Sequence, residues 1–432
     1  VPSRARILVL LSIAELLAMS LWFIGSVIGG NAPTAVGEYA RWLSLRSWLT
    51  IAVQLGFVAG ALTIAFLNLS DHFSAPRVLA ACAVLAGAAN IGVGLNLHQL
   101  DAYVAHGNER GAVLLAVICR GLTGAFLAGV YPTGMKILAG WFREGRGLAL
   151  GVLIGALAVG SASPHLLWII SSMLLPIPVA GLIIASSLAS LIGAAMVAAA
   201  VREGPFAAAQ PPFDWRQLGQ TFRNPRLRLA NLGYLGHMWE LYSMWSWIAV
   251  MVAASDPRAS RASVELIAFL AIAIGCVSCA WAGHVSDRIG RQGGQTVAGR
   301  ARVTIIAMAA SGACCLAAAL AFGHPQVLIA IALIWGVAVI ADSAQFSAAI
   351  SELADPRYVG TALTAQTAFG FLLTAVSIRT IAAIAAAAGW RWAALAMAPG
   401  PAFGIWAMWR LERSVRAPQR AASARSSLQL RT

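Results

Sequence analysis

Apolar residues run along this chain in long blocks, and polar residues gather in short gaps between them. Twelve blocks stand near 7–31, 48–69, 78–98, 112–134, 147–172, 178–201, 229–254, 263–285, 302–322, 326–349, 359–385 and 391–411. A helix needs about 20 apolar residues to cross the hydrocarbon core, because each adds about 1.5 Å. Only helices and closed barrels satisfy their own backbone groups in lipid. These blocks are too long, and too rich in Leu and Ala, for the roughly ten-residue alternating strands of a barrel. The pattern predicts an all-α integral membrane protein with twelve transmembrane helices. The longest polar stretch, 202–228, divides six blocks from six. It implies an N-terminal six-helix bundle over 1–201, a linker over 202–228, a C-terminal six-helix bundle over 229–411 and a disordered tail over 412–432.

Composition agrees with a lipid-facing surface. The chain is 59% hydrophobic and 11% charged, against about 25% charged in ordinary soluble chains. The net charge of +14 first suggests nucleic acid. Its distribution says otherwise, because no basic segment is interleaved with aromatics. Lys136 is the only lysine, and most of the arginines lie in the short gaps. With the N-terminus inside, 22 of the 30 basic residues fall in cytoplasmic segments and six in outer loops. That bias predicts both termini in the cytoplasm of a bacterial inner membrane. The first block follows Arg4 and Arg6 without a clear cleavage site, so it reads as a retained span.

The two parts of the chain repeat each other. Glu15, Met19 and Trp22 spell E-L-x-x-M-x-x-W, and so do Glu240, Met244 and Trp247. Ser70-Asp71 is matched by Ser286-Asp287, and Gly147-Leu-Ala149-Leu150 by Gly360-Thr-Ala362-Leu363. The order is the same in both copies, which predicts two pseudo-symmetric bundles of like topology rocking about a midplane site.

The gap after the eighth block reads Gly283-His-Val-Ser-Asp287-Arg288-Ile-Gly290-Arg291. This resembles the G-x-x-x-D-R-x-G-R loop of the major facilitator superfamily. The family carries that loop between spans 2 and 3 and often again between 8 and 9. There the Asp pairs with arginines and latches the cytoplasmic side. The resemblance implies gating roles for Gly283, Asp287, Arg288, Gly290 and Arg291. The earlier copy keeps Asp71 but has lost both glycines and the adjacent arginine, so its latch is expected to be weaker or differently built. Arg120 and Gly124 are similar to the family's R-x-x-x-G in span 4.

Ionisable residues inside spans point to function, because they are expensive there. Glu15 and Glu240 head the two stripes. A buried carboxyl that binds and releases a proton is what proton coupling needs. The family places spans 1 and 7 on the central cavity, so the two acids are expected to face each other there, with Trp22 and Trp247 as apolar walls. The alternative is that both acids hydrogen-bond neighbouring helices and hold the fold. His237 lies one turn before Glu240. Arg120 suits a titrating carboxylate, an anionic substrate or a structural ion pair. His165, Gln54 and Gln366 are candidate cavity hydrogen-bonders, and Asp342 a candidate gate residue. Gly151-xxx-Gly155 suits close helix packing, before Pro164.

No P-loop, nucleophile–base pair, zinc or haem motif occurs. The six cysteines all fall within apolar blocks, and Cys276-x-x-Cys279 lacks the other ligands a metal needs. The expectation is a transporter and not an enzyme, without cofactor or metal. It moves a small solute, an organic anion among the candidates, with protons, through the lipid bilayer as a monomer. The other reading is a sensor or scaffold that keeps the transporter fold without transport.

Overall fold

The computed structural model describes residues 3–28, 32–67, 69–142, 145–206, 218–292, 296–355 and 357–429. Helices make up the fold, and no strand occurs among the described residues. In the first part of the chain these are α1 (Arg4–Met19), α2 (Val36–Phe66), α3 (Leu69–His72), α4 (Ala75–Gly94), α5 (Leu97–His106), α6 (Arg110–Leu127), α7 (Tyr131–Trp141), α8 (Arg146–Met173) and α9 (Val179–Ala200). After the linker come α10 (Leu218–Arg223), α11 (Pro225–Ser255), α12 (Arg261–Ala273), α13 (Gly275–Gln292), α14 (Thr296–Leu320), α15 (Pro325–Ile340) and α16 (Ser343–Leu353). The last three are α17 (Val359–Ala388), α18 (Trp390–Leu395) and α19 (Pro399–Gln429).

Local chemistry explains several starts. Ser3 caps α1 by accepting from the Arg6 amide at 3.2 Å. Asn224 caps α11, accepting from Arg226 and Leu227 ahead of Pro225 at the first turn. Ser260 caps α12 through the Ser263 amide.

Among the described residues, nine helical stretches are long and apolar enough to cross a membrane. Their outward faces carry Ile118, Leu188, Ile192, Ile306 and Val376, all exposed, as lipid contact requires. The segments expected as the first, seventh and twelfth spans do not meet that criterion as continuous helices. The first departs from its expected single helix. α1 ends at Met19, and a 3-10 turn at Ile24–Val27 follows. The seventh is α11, with 31 residues but also Arg226, Arg228, His237 and Glu240. The twelfth divides into α18 and α19 ahead of Pro399. All three pack against the apolar helices: α1 on α8 and α9, α11 on α17, and α19 on α11 and α14. α19 stays helical to Gln429, through most of the segment expected as a disordered tail. Residues 207–217 of the linker lie outside the described residues.

Among the described residues, the main seams between the first part of the chain and the second are α8 against α12 and α13, and α2 against α17. Glycine sets the first. A Cβ on Gly151 would meet the Cys279 carbonyl at 2.8 Å, and one on Gly155 the Cys276 carbonyl at 2.9 Å. Only a residue without Cβ lets these backbones approach so closely. Pro164 lies inside α8 and donates nothing to the Gly160 carbonyl. Ser163 Oγ takes that carbonyl instead, at 2.7 Å.

Candidate functional site

A small cavity lies between the two parts of the chain. α11 builds one wall with Tyr234, Met238, Leu241, Tyr242 and Trp245. The opposite wall comes from Tyr131, Ile154 and Leu157. Tyr131 is the first residue of α7, just after the break that separates it from α6. Ile340 and Ser343 enter at another break, between α15 and α16, and Phe371 enters from α17. Five of the eleven lining residues are aromatic, and the rest are aliphatic or Met apart from Ser343. Trp22 extends the cluster from behind, with ring centroids 5.4 Å from Phe371 and 5.9 Å from Tyr242.

The two acids expected to face each other turn into their own parts of the chain. Glu240 accepts from Trp335 Nε1 at 2.6 Å, Ser311 Oγ at 2.8 Å and Cys315 Sγ at 3.2 Å, all on α14 and α15. Glu15 is buried beside Gly134 of α7, where Leu153 and Leu79 also converge, and its Oε1 has no hydrogen-bond partner. Neither acid is among the cavity-lining residues. Trp247 also points away, donating to the Ile378 carbonyl and packing on Trp390. Helical geometry explains this. At 3.6 residues per turn, the Glu240–Met244–Trp247 stripe lies roughly 140° around α11 from the cavity-lining face.

Arg120 is fully buried. It donates to the carbonyls of Leu21 (2.7 Å), Trp22 and Leu49 (3.3 Å) and to Asn90 Oδ1 (3.1 Å). Leu21 and Trp22 follow the end of α1, where carbonyls lose their helical partners. The guanidinium ties off that break, and its hydrogen bonds go to backbone and amide oxygens.

His237 is brought to Asp342, with Nδ1 2.9 Å from Oδ1 and both side chains almost wholly buried. His237 Nε2 and both Asp342 oxygens otherwise lack hydrogen-bond partners. Asp342 falls at the α15–α16 break, between the lining residues Ile340 and Ser343. Gln54 is buried with both amide atoms unpartnered, and Gln366 Oε1 accepts weakly from Ser347 at 3.5 Å.

Contacts between the two parts of the chain stand on both sides of the cavity. On one side His165 of α8 meets Glu265 of α12 at 2.5 Å, and Trp390 Nε1 donates to Tyr39 Oη at 3.0 Å. On the other side the Asp287 carboxylate lies against Gly147 in the first turn of α8. Asp287 is also 2.7 Å from Arg300, whose guanidinium reaches Glu352, Gln345 and Ser286 as well. Gly283 packs on the Gly147 backbone. Arg288 is exposed. Asp71, Gly290 and Arg291 lie outside the residues whose side chains are described.

Sequence reasoning passed over the cavity aromatics, Glu265 and Arg300. The aromatics carry a usable signal: Tyr234, Met238, Leu241, Tyr242 and Trp245 recur at helical spacing on one face. Glu265 reads in the sequence as an ordinary i+4 partner of Arg261, and Arg300 as a topology signal.

Known proteins agree with this architecture. The family model described as Major Facilitator Superfamily matches residues 11–298. Among solved structures, the human organic anion transporter MFSD10 (TETRAN) superposes with a TM-score of 0.69. The match covers 94% of this chain and 100% of that one at 14% identity, so the likeness is one of fold. No curated protein sequence matches the chain. With the family model spanning more than half of its length, the chain belongs to the Major Facilitator Superfamily, as a multi-pass membrane transporter.

Proposed function

We propose that this protein is a secondary active transporter that moves a small solute by alternating access. Its twelve spans form two pseudo-symmetric six-helix bundles, 1–201 and 229–411, which rock about the central cavity. The observation that carries this reading is a cavity bounded by both parts of the chain, with contacts between them on either side. Alternating access needs that arrangement: one layer of contacts parts while the other holds. Asp287, Gly147 and Gly283 close the cytoplasmic side. His165 and Glu265 close the outer side.

The charge pattern supports an inner-membrane protein with both termini in the cytoplasm. Function as a monomer is part of the same proposal. Proton coupling is assigned to the buried carboxyls Glu15 and Glu240, because ionisable groups inside a membrane protein favour that role. MFSD10 is an organic anion transporter by its description. In this chain, however, the buried Arg120 donates to oxygens of the protein itself.

The test is reconstitution into proteoliposomes with an imposed pH gradient. Solute uptake that follows the gradient, and loses that dependence in Glu15→Gln or Glu240→Gln, supports the reading. Uptake that ignores the gradient removes proton coupling. Ligand binding with no flux in either direction marks a sensor with a transporter's fold.

A further inference from the structure

We propose that the outward side of α19 holds an anionic phospholipid, with Arg410 and Arg413 on its phosphate and Phe403, Trp406 and Trp409 along its apolar part. The site is separate from the central cavity and does not depend on what the protein carries.

Helical spacing brings these five residues together. At 3.6 residues per turn, positions 403, 406, 409, 410 and 413 fall within an arc of about 120°. All five are exposed. Met408 and Leu411, on the other side of the helix, are buried where α19 packs against α11 and α14. The exposed stripe therefore faces whatever surrounds the protein. Along its length it changes from rings to guanidiniums. That is the order found at the edge of a bilayer, where indole rings settle at headgroup level and cations meet the phosphates.

The two arginines are drawn back toward the rings. The Arg413 guanidinium lies 3.7 Å from the Trp409 ring centroid, and that of Arg410 lies 5.9 Å from Trp406. Helical side chains lean toward the start of their helix, and in α19 that direction is the membrane. A ring satisfies the charge of a cation but leaves most of the five guanidinium N–H donors for oxygen acceptors. Among the described residues, neither Arg410 nor Arg413 meets a carboxylate. Glu412 is the only acid in α19. Its Oε1 is already taken by Arg302 at 2.7 Å and by Arg416 at 3.0 Å. Two cations on one carboxylate leave this end of the helix positive. Arg410 and Arg413, three residues apart, stand as surface neighbours with about 5–6 Å between their Cβ atoms. Their forked donors match phosphate oxygens. A free phosphate would use the arginines alone. The exposed rings beside them suit a ligand with an apolar part as well, which is the chemistry of an anionic phospholipid.

Native mass spectrometry of the full-length protein, titrated in detergent with phosphatidylglycerol or phosphatidylcholine, reads the affinity for each lipid. Phosphatidylglycerol is expected to bind at least tenfold tighter. Arg410→Gln/Arg413→Gln should abolish that preference and leave phosphatidylcholine unchanged. Arg77→Gln/Arg223→Gln removes the same charge from two exposed arginines outside α19, and it should keep the preference. All four substitutions lie on the surface, and a melting temperature near that of the unmodified protein confirms that each variant folds. Equal affinity for the two lipids, or an unchanged preference in Arg410→Gln/Arg413→Gln, overturns the proposal. An equal loss in Arg77→Gln/Arg223→Gln also overturns it, because diffuse surface charge then accounts for the binding. Inorganic phosphate that displaces the lipid at equal concentration assigns the arginines to a free anion and overturns the lipid site.

Discussion

His165 and Glu265 meet at 2.5 Å across the seam between α8 and α12, with side chains only 2% and 6% exposed. The other Glu265 oxygen lies 3.3 Å from Arg261 Nε. Arg261 itself stacks over Trp168 of α8, 4.4 Å from the ring centroid. One acid thus joins two spans from opposite parts of the chain. Removing His165 takes away the contact that joins Glu265 to α8 directly and leaves the acid to Arg261 on its own helix. His165→Ala is therefore expected to weaken closure on the outer side. Spin labels on the outer ends of α8 and α12 check this. The long-distance population should rise at least tenfold, equivalent to about 1.4 kcal/mol. An unchanged distance distribution would show that the pair does not hold the seam.

The opposite side closes differently. Gly283 meets the Gly147 backbone, and a Cβ on Gly283 would lie 2.8 Å from the Gly147 carbonyl. A carbonyl inside a helix has no room to retreat, so the two helices must part. Gly283→Val is expected to hold this side open. Cys279 provides a native reporter: it is buried in the same seam, where its thiol donates to the Ile340 carbonyl. Alkylation of Cys279, mapped by mass spectrometry, should speed up several-fold in the variant. No change in that rate argues against a role for this seam in gating.

Arg300 ties the same side together through Asp287, Glu352, Gln345 and Ser286. A guanidinium presents donors in a fixed fork, whereas an ammonium is a point charge with three. Arg300→Lys keeps the charge and loses part of the network. Turnover is expected to fall by a factor of about ten, or about 1.4 kcal/mol, with the melting temperature little changed. Full activity in the lysine variant would reduce Arg300 to a simple topology charge.

These contacts show what the sequence could and could not carry. Long apolar blocks predict helices because a 20-residue requirement is a property of composition and length. The breaks were less legible. α1 ends at Met19 inside an apolar block, and the reason is Arg120, about a hundred residues away, taking the Leu21 and Trp22 carbonyls. α11 misled for another reason. Its central residues are buried almost all round, so periodicity could not say which face meets the cavity. The conspicuous Glu240 stripe suggests the cavity side, whereas Tyr234, Tyr242 and Trp245 line the space. Pairs such as His165–Glu265 join residues a hundred positions apart, and no local pattern announces them.

Arg120 is bound to the same break in the first span. Its donors meet three backbone carbonyls and Asn90, so its loss leaves several buried acceptors without partners. Each unsatisfied buried group costs about 1–3 kcal/mol. Arg120→Ala is expected to cost at least about 3 kcal/mol of stability. Arg120→Lys should rescue little, because one ammonium cannot reach all four acceptors. Thermal unfolding in detergent checks both. Should either variant keep wild-type stability and lose only solute affinity, Arg120 would be a substrate ligand instead.

Glu240 offers the cleanest test of proton coupling, because its surroundings tolerate an amide. Trp335 Nε1 and Cys315 Sγ both donate to Oε1, and Ser311 Oγ donates to Oε2. In Glu240→Gln the amide oxygen can keep the Oε1 position and its two donors. The amide nitrogen then takes the Oε2 position, where Ser311 can accept from it. Ser311 already has a second acceptor within reach, the Met308 carbonyl at 3.3 Å. The swap is therefore expected to cost no more than about 1 kcal/mol, the net worth of one hydrogen bond. The fold is expected to survive, and what disappears is the carboxyl to which proton coupling is assigned. Uptake driven by a pH gradient should drop to the level seen without one, while exchange of solute at equal pH continues. If the gradient still drives uptake in the glutamine variant, Glu240 is a structural acceptor for Trp335 and the proton travels elsewhere.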